Sequence, residues 1–382
     1  MDFSLSDEQR LLKESVERFV ENDYAFETRR KIVAGAAGFD SGNWAKFAEL
    51  GWLAVPFPEA HGGLGGSPVD VMVLMEAFGA GLVVEPYLAS VVLGGGAVRM
   101  GGGEAQQAAL LPGLAEGKLH LALAYAEEQS RYDPADVETR AEAADGGYVL
   151  TGGKIVAFNA EAADHIVVSA RSGGGSRDPK GITLFLVPRG AAGLTLRGYP
   201  TVDGGRAADL KLDGVRLGAD AVLGAPGDGL ALLEAVLDHG TAAVCAEAVG
   251  AMQALNDATL EYLKTRKQFG APIGSFQALQ HRMADMFMAV TQARAMAAMA
   301  TMKLDEADPV ARKRAVSAAK VEIGRAGRLI GQEAVQMHGG VGMTDELSVS
   351  HYFKRVTMID HLFGDVDYHL RRFADLDAPV AS

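Results

Sequence analysis

The sequence predicts an α+β multidomain protein in which a helical N-terminal domain is followed by a β domain and then by a second helical domain. The chain has 382 residues, which is more than one small core accommodates. Apolar residues recur at helical spacing towards both ends, whereas the middle consists of short β-type runs separated by turns. We therefore expect an α-helical domain over 1–116, an antiparallel β-barrel domain over 117–228 and a four-helix bundle over 229–382.

The N-terminal domain opens with a helix signal. Ser6 is suited to cap a helix, and Gln9 follows it at the spacing of a capping box. The helical pattern is broken by the glycine-rich stretch HGGLGGS at 61–67 and resumes over Val69–Gly79.

The middle domain contains short apolar runs that turn signals such as Asp145-Gly146 separate. These runs are Leu119–Ala124, Tyr148–Thr151, Ile166–Ala170, Ile182–Val187 and Leu210–Leu212. This pattern favours an antiparallel barrel or sandwich over alternating strands and helices.

The C-terminal domain consists of long stretches that carry apolar stripes and few helix breakers. They are Leu230–Arg266, Gln277–Asp305, Val310–His338 and Ser348–Leu376, and together they predict a helix bundle. The stretches up to 340 are rich in Ala and Met and are more apolar than one bundle readily buries. We therefore expect a dimer of dimers whose C-terminal bundles form a shared core.

Composition and charge exclude several classes of function. A net charge of −13 argues against a nucleic-acid or anionic membrane surface, because like charges repel. We expect no membrane span and no secretory signal, since no apolar run is long enough and the N-terminus lacks a basic start. The single cysteine, Cys245, cannot form an intramolecular disulfide and fits a reducing cytoplasm, and the histidines show no paired metal spacing.

Two sequence motifs are candidates for a ligand site. The first is RKQFGAPIGSFQ at 266–277, where an arginine beside Phe-Gly offers a fixed charge next to a flat apolar surface, as a pyrophosphate and an adjacent ring require. The second is QMHGGVG at 336–342, whose glycine pair allows close approach of a ligand and equally serves as a helix C-cap. Each alone is typical of a helix–helix turn; their combination indicates a ligand site.

The α–β–α order, these two motifs and the N-terminal SDEQRLLKESV resemble the acyl-CoA dehydrogenase family over essentially the whole chain. The stretches AEEQSRYD, CAEAVGAM and EYLKTRKQFG are most similar to small subunits of bacterial heteromeric enzymes of the pimeloyl-CoA dehydrogenase type. The resemblance implies FAD as cofactor, an acyl-CoA substrate that is oxidised at Cα–Cβ to an enoyl-CoA, and an electron-transfer flavoprotein as electron acceptor.

The catalytic base that the resemblance implies is missing. In the family a glutamate removes the α-proton, and it occupies one of two alternative positions. These positions hold Phe363 and Gly240 here, and neither can accept a proton. We therefore predict no catalytic residue, although Asp365 and other nearby carboxylates are alternative bases.

The flavin-ring half of the family site also departs from its pattern. In the loop that should wrap the flavin, Ala126 and the pair Arg131-Tyr132 replace a threonine and two small residues. The strand that reads Trp-Ile-Thr-Asn in the family reads Val-Ala-Phe-Asn at 156–159. We expect the charges of the loop, which include Glu127 and Asp133, to form salt bridges and not to act in catalysis.

The adenine half of the family site is retained. Residues that match family positions at the adenine and pyrophosphate of FAD, bound mainly in a neighbouring subunit, are Arg266, Gln268, Phe269, Ile273, Phe276, Gln336, Met337 and Gly340.

Three hypotheses follow. The first is a non-catalytic β subunit that completes the FAD site of a second acyl-CoA dehydrogenase-like subunit in an α2β2 complex. The second is a self-sufficient homo-tetramer with an unusual carboxylate base, and the third is a cofactor-free structural or acyl-CoA-binding protein.

Overall fold

The computed structural model describes residues 4–376. The helices are α1 (Asp7–Asp23), α2 (Phe26–Ala34), α3 (Ser41–Glu49), α4 (Pro68–Gly81), α5 (Gly96–Gly101), α6 (Glu104–Ala115), α7 (Gly229–Thr265), α8 (Gln277–Met302), α9 (Pro309–His338), α10 (Ser348–His361) and α11 (Val366–Asp375). The strands are β1 (Leu121–Ala124), β2 (Arg140–Ala144), β3 (Gly147–Phe158), β4 (His165–Arg171), β5 (Ile182–Pro188), β6 (Leu194–Pro200), β7 (Arg206–Gly218), β8 (Val222–Leu223), β9 (Lys267–Gln268) and β10 (Ala271–Pro272).

The predicted fold class is confirmed, because helices precede and follow a region of β-sheet along the chain. The capping box at Ser6 is present, with the Gln9 backbone N–H donating to the Ser6 hydroxyl at 3.2 Å. Two compact units form: one comprises the residues up to Lys31, Pro68–Val83 and the residues from Thr241, and the other comprises Ile32–Ser67 and Val84–Gly240. The three domain bounds given above stay a prediction.

The sheet of the second unit runs in the order β6-β7-β3-β2-β4-β5-β8, and β1 pairs with β4. Most neighbours are antiparallel, as expected, but β1 lies parallel to β4 and a single parallel pair joins Arg140 to Arg171. The sheet is therefore mixed and not purely antiparallel. Small and β-branched residues such as Ala124, Ala170 and Val168 fill its core.

The helical unit is organised around α9, which contacts α8, α10 and α11. A close approach of α4 and α7 fixes a second part of the unit. A Cβ built at Gly79 would lie 1.9 Å from the Glu247 carbonyl oxygen, and one at Gly250 would lie 1.8 Å from that of Glu76. Only glycine allows the two backbones to meet at this distance. The Glu247 carboxylate also receives two hydrogen bonds from Arg355 of α10, at 2.5 and 2.6 Å.

The prediction of a fourth long helix over Ser348–Leu376 is wrong in one respect, because this segment forms two helices, α10 and α11. Phe363 and Gly364 have φ values of +59° and +118°, which a right-handed helix does not accommodate. Asp365 then caps α11 by accepting a hydrogen bond from the Tyr368 backbone N–H at 2.8 Å. The turn is held by the buried Lys320 of α9, whose Nζ donates to the carbonyls of Asp360 at 2.9 Å and of Gly364 at 2.5 Å.

Among the described residues, α7 is the helix with the length and hydropathy that a membrane span requires. Of the apolar window in α7, 61% is buried inside the protein, as in the core helix of a globular domain. The length and composition of α7 are therefore weak evidence for a span.

We expect Gly79→Ala to lower the free energy of unfolding by about 1–3 kcal/mol, because its Cβ would be forced against the Glu247 backbone. Gly327→Ala is the matched control: it also lies inside a helix of this unit, but its nearest neighbour would be 3.5 Å away. The control should keep or raise stability, since alanine favours a helix. Urea denaturation measures both, and equal midpoints for the two variants would contradict the close crossing.

Candidate functional site

The motif RKQFGAPIGSFQ begins as a tight β-hairpin at the end of α7. Strands β9 and β10 pair antiparallel, with Gln268 opposite Ala271. The two turn residues, Phe269 and Gly270, have φ values of +53° and +81°, the signs that a type I′ hairpin turn requires at both positions. Gly270 satisfies this requirement without strain, whereas Phe269 does not.

Phe269 is unfavourable in this position in two ways. Its side chain is 93% exposed, and its backbone occupies the left-handed region that bulky residues avoid. The ring contacts Phe276 edge-on, with centroids 6.1 Å apart. A strained backbone and an exposed aromatic surface at the same residue indicate a contact outside this chain.

Arg266 stands at the base of the hairpin. Its backbone N–H donates to the Tyr262 carbonyl at 2.8 Å, and its carbonyl accepts from the Ile273 N–H at 2.8 Å. The Arg266 side chain is exposed, and within residues 4–376 it forms no ion pair. The guanidinium is therefore available to an anionic ligand. Gln268 is likewise exposed, and Ile273 is half-buried below the hairpin.

The motif QMHGGVG ends α9 and continues as a 3₁₀ turn over Gly339–Met343. Gln336 and Gly340 are exposed, and a Cβ added at Gly339 or Gly340 would meet no atom within 4 Å. This glycine surface is therefore open to a ligand. Met337 differs from the expectation for a contact residue, because only 6% of it is exposed.

The structure brings the two motifs together through a ring contact that the sequence did not reveal. Tyr262 of α7 stacks on His338 of α9, with centroids 4.4 Å apart and planes inclined by 28°. Nδ1 of His338 donates to the Ala334 carbonyl at 2.8 Å. Burial lowers the pKa of His338, which favours the neutral ring.

The loop after β1 contains a buried ion pair. Lys154 Nζ lies 2.6 Å from Glu127 Oε1, and both side chains are almost fully buried. Glu127 also accepts from the backbone N–H groups of Glu138 at 2.8 Å and Thr139 at 3.1 Å. Burial raises the pKa of Glu127, but the facing ammonium and these hydrogen bonds lower it by more, so the net shift is downward. Glu127 therefore forms a salt bridge, with its cation on β3 and not in the loop. Asp133 instead accepts the Ala135 N–H at 2.9 Å and has no ion pair within residues 4–376.

The remaining flavin-ring positions depart from the family pattern, although Asn159 is retained and its buried Nδ2 has no hydrogen-bond partner among residues 4–376. Ala126 and Phe158 carry no hydroxyl group, and Arg131 is exposed with a φ of +46°. The Val156 N–H is directed to the Asp209 carboxylate at 3.3 Å, which also accepts from Tyr199 at 2.9 Å. The exposed guanidinium of Arg266 is suited to a pyrophosphate, whereas Ala126 and Phe158 offer no hydroxyl group to a flavin ring.

The two positions expected for a base hold no carboxylate. Phe363 is 9% exposed in the turn before α11, and Gly240 is buried in α7. Of the alternative carboxylates, Asp365 caps α11 and Asp367 is exposed. The side chain of Asp365 already has a structural partner in the Tyr368 N–H.

Sequence models of acyl-CoA dehydrogenases match the chain in three consecutive parts: the N-terminal domain over residues 6–118, the middle domain over 122–215 and the C-terminal domain over 227–375. The chain belongs to the acyl-CoA dehydrogenase family. This family consists of FAD-dependent oxidoreductases that act on CH–CH bonds, and FAD is its cofactor.

Known members of the family are similar over nearly the full chain. A probable acyl-CoA dehydrogenase, YngJ of Bacillus subtilis, is 32% identical and covers 94% of this chain and 95% of its own length. The ChsE4-ChsE5 complex of Mycobacterium tuberculosis contains a chain that is 27% identical, with a TM-score of 0.90 and full coverage of both chains. The FAD complex of PigA is 26% identical, with a TM-score of 0.90 and 98% coverage of both.

We expect Phe269→Asn to raise the free energy of unfolding by up to about 1 kcal/mol, because Asn-Gly is the preferred pair for a type I′ turn and a left-handed Phe is strained. Phe276→Asn is the control, since the φ of Phe276 is −80° and no strain is relieved there. Urea midpoints of the two variants decide the matter. A loss of stability in Phe269→Asn would mean that the exposed ring serves this chain's own fold.

Proposed function

We propose that this chain is the β subunit of an α2β2 acyl-CoA dehydrogenase, lacks its own catalytic base, and supplies the half of the FAD site that binds the AMP end of the cofactor. The observation that carries the proposal is Phe269, which is strained and 93% exposed beside the exposed Arg266. The flavin-ring half offers no hydroxyl at Ala126 or Phe158. A chain that retains one half and lacks the other is suited to complete a partner's site.

Each adenine-side residue has a role that its position allows. The Arg266 guanidinium makes charge-assisted hydrogen bonds to the pyrophosphate. Phe269 and Phe276 offer an aromatic surface to the adenine ring, and Gly340 lets the ligand approach the backbone. The exposed amides of Gln268 and Gln336 can reach polar edges of adenosine. Ile273 is half-buried and joins the hairpin to Arg266 through its backbone N–H, and Met337 is buried in α9.

The reaction itself belongs to the partner in this proposal. FAD, when bound, supplies the hydride acceptor for α,β-dehydrogenation of an acyl-CoA thioester to an enoyl-CoA. The α-proton requires a carboxylate, and Phe363 and Gly240 offer none. The partner therefore contributes the base, the flavin-ring donors and the acyl-CoA site, and this chain holds the distal end of the cofactor.

The partner that fits is a second acyl-CoA dehydrogenase-like chain that retains the glutamate. Phe287 and Met288 on α8 are 63% and 54% exposed, an apolar surface that a subunit contact would cover. The relative solved as the ChsE4-ChsE5 complex supports a pairing of unlike chains. We further infer a cytoplasmic location and an electron-transfer flavoprotein as acceptor of the electrons.

Flavin content tests the proposal against both alternatives. The chain purified alone should contain little FAD, whereas the chain co-expressed with a glutamate-bearing partner should contain half as many FAD molecules as polypeptides. Full FAD occupancy of the chain alone, with dehydrogenase activity, would support a self-sufficient homo-tetramer. Absence of flavin from the co-expressed pair would support a cofactor-free protein.

We expect Arg266→Ala to lower the affinity of the co-expressed pair for FAD by roughly 10–150-fold, the factor that corresponds to the loss of a hydrogen bond between charged groups. Activity should fall with flavin content while the two chains still co-purify. Arg282→Ala is the matched control, because Arg282 is also an exposed arginine of the helical unit but pairs with Glu333 at 2.9 Å. Unchanged FAD occupancy in Arg266→Ala would end the model of a site completed by this chain.

A further inference from the structure

His338 lies where three segments of the helical unit meet. It is the last residue of α9, and its ring stacks on Tyr262 of α7. The 3₁₀ turn that follows folds back onto it, so that a Cβ added at Gly342 would lie 2.9 Å from the Cβ of His338. Only 5% of His338 is exposed.

Backbone hydrogen bonds fix the His338 ring and connect Tyr262 to Arg266. The Nδ1–H of His338 donates to the Ala334 carbonyl at 2.8 Å, one turn back along α9, which fixes the plane of the imidazole. Tyr262 accepts the backbone N–H of Arg266 at 2.8 Å through its own carbonyl. The Tyr262 carbonyl therefore connects the Arg266 backbone to α7. His338 is followed directly by Gly339, the first residue of the glycine turn.

The ring stack thus connects Tyr262, which holds the Arg266 backbone, to His338, which precedes the glycine turn. Arg266 and Gly340 are carried by different helices, α7 and α9, and a ligand that contacts both needs the two at one particular separation. Without the stack, ligand binding has to fix the separation of the two helix ends. This ordering costs free energy and weakens affinity, although no contact with the ligand is lost.

We propose that Tyr262 and His338 are positioning residues for the adenine–pyrophosphate end of FAD: their stacked rings set the separation of Arg266 and the Gly339-Gly340 turn, and neither side chain touches the ligand. This inference rests on the proposed function. It adds Tyr262 and His338 to the residues that match family positions at the adenine and pyrophosphate.

The test uses the full-length chain, in the assembly in which it purifies, titrated with ADP as the probe for the adenine–pyrophosphate end. Tyr262→Leu and His338→Leu should each weaken ADP binding by roughly 2- to 12-fold, the factor that corresponds to the free energy of one aromatic pair. Tyr262→Phe and His338→Phe retain a stack and should bind ADP as the parent chain does. Loss of affinity in the two Phe variants would mean that the polar groups act directly on the ligand and would overturn the inference.

A matched control separates positioning from stability. Trp44 and His120 form a similar stack in the other unit, with centroids 4.9 Å apart and planes at 26°. We expect His120→Leu to lower the melting temperature to an extent comparable with His338→Leu and to leave ADP affinity unchanged. A parallel loss of ADP affinity in His120→Leu would show that general destabilisation explains the effect.

A double-mutant cycle distinguishes failure of the inference from failure of the proposed function. If the stack acts through Arg266, Tyr262→Leu should cost less affinity in an Arg266→Ala background than in the parent chain. Fully additive effects, or unchanged affinity in Tyr262→Leu beside a weakened Arg266→Ala, would overturn the positioning role alone. Unchanged ADP affinity in Arg266→Ala would overturn the proposed function itself.

Discussion

The contact of bare backbone between α4 and α7 is the constraint on which the helical unit depends. Gly79 and Gly250 let each helix reach the carbonyl oxygens of the other, and the paired charges of Glu247 and Arg355 bind α7 to α10. A helix fixed at this point has little freedom to rotate or slide. Its C-terminal end therefore presents Tyr262 and the hairpin in one orientation, which is what a site on a loop requires of its scaffold.

Local sequence signals were sufficient for the long helices and insufficient for their interruptions and for the less apolar strands. Long apolar periodicity located α7, α8 and α9 to within a few residues, because it reflects burial of one helix face. The break at Phe363-Gly364 was missed although Gly364 and the N-cap Asp365 are local signals for a helix end and a new helix start. The hydrogen bonds of Lys320 to the carbonyls of Asp360 and Gly364, which stabilise this turn, are long-range and cannot be read from the sequence. Strand β2 was missed because Arg140–Ala144 has no apolar residue larger than alanine, even though its partner β3 follows directly across the Asp145-Gly146 turn.

The site shows the same division between local and long-range information. The residue types in RKQFGAPIGSFQ predicted an exposed charge beside an aromatic surface, and Arg266 and Phe269 are exposed. The partner of Glu127 was not predictable from its loop, because Lys154 enters the same buried space from a neighbouring strand. The contact between Tyr262 and His338 was hidden for the same reason: it is created by packing of two helices, and no spacing in the sequence encodes it.

The turn at Phe363 also bears on whether a carboxylate introduced at this position could serve as a base. A glutamate at this position would inherit a left-handed backbone and a site that is 9% exposed, where an unpaired carboxylate is costly to bury. Under the proposed function, hydroxyl groups would also be needed in place of Ala126 and Phe158 before a carboxylate at position 363 had a flavin ring to serve. Each intermediate sequence would carry the cost of one change without the benefit of the others. Under the proposed function, several positions would therefore have to change together before this chain could catalyse the reaction itself.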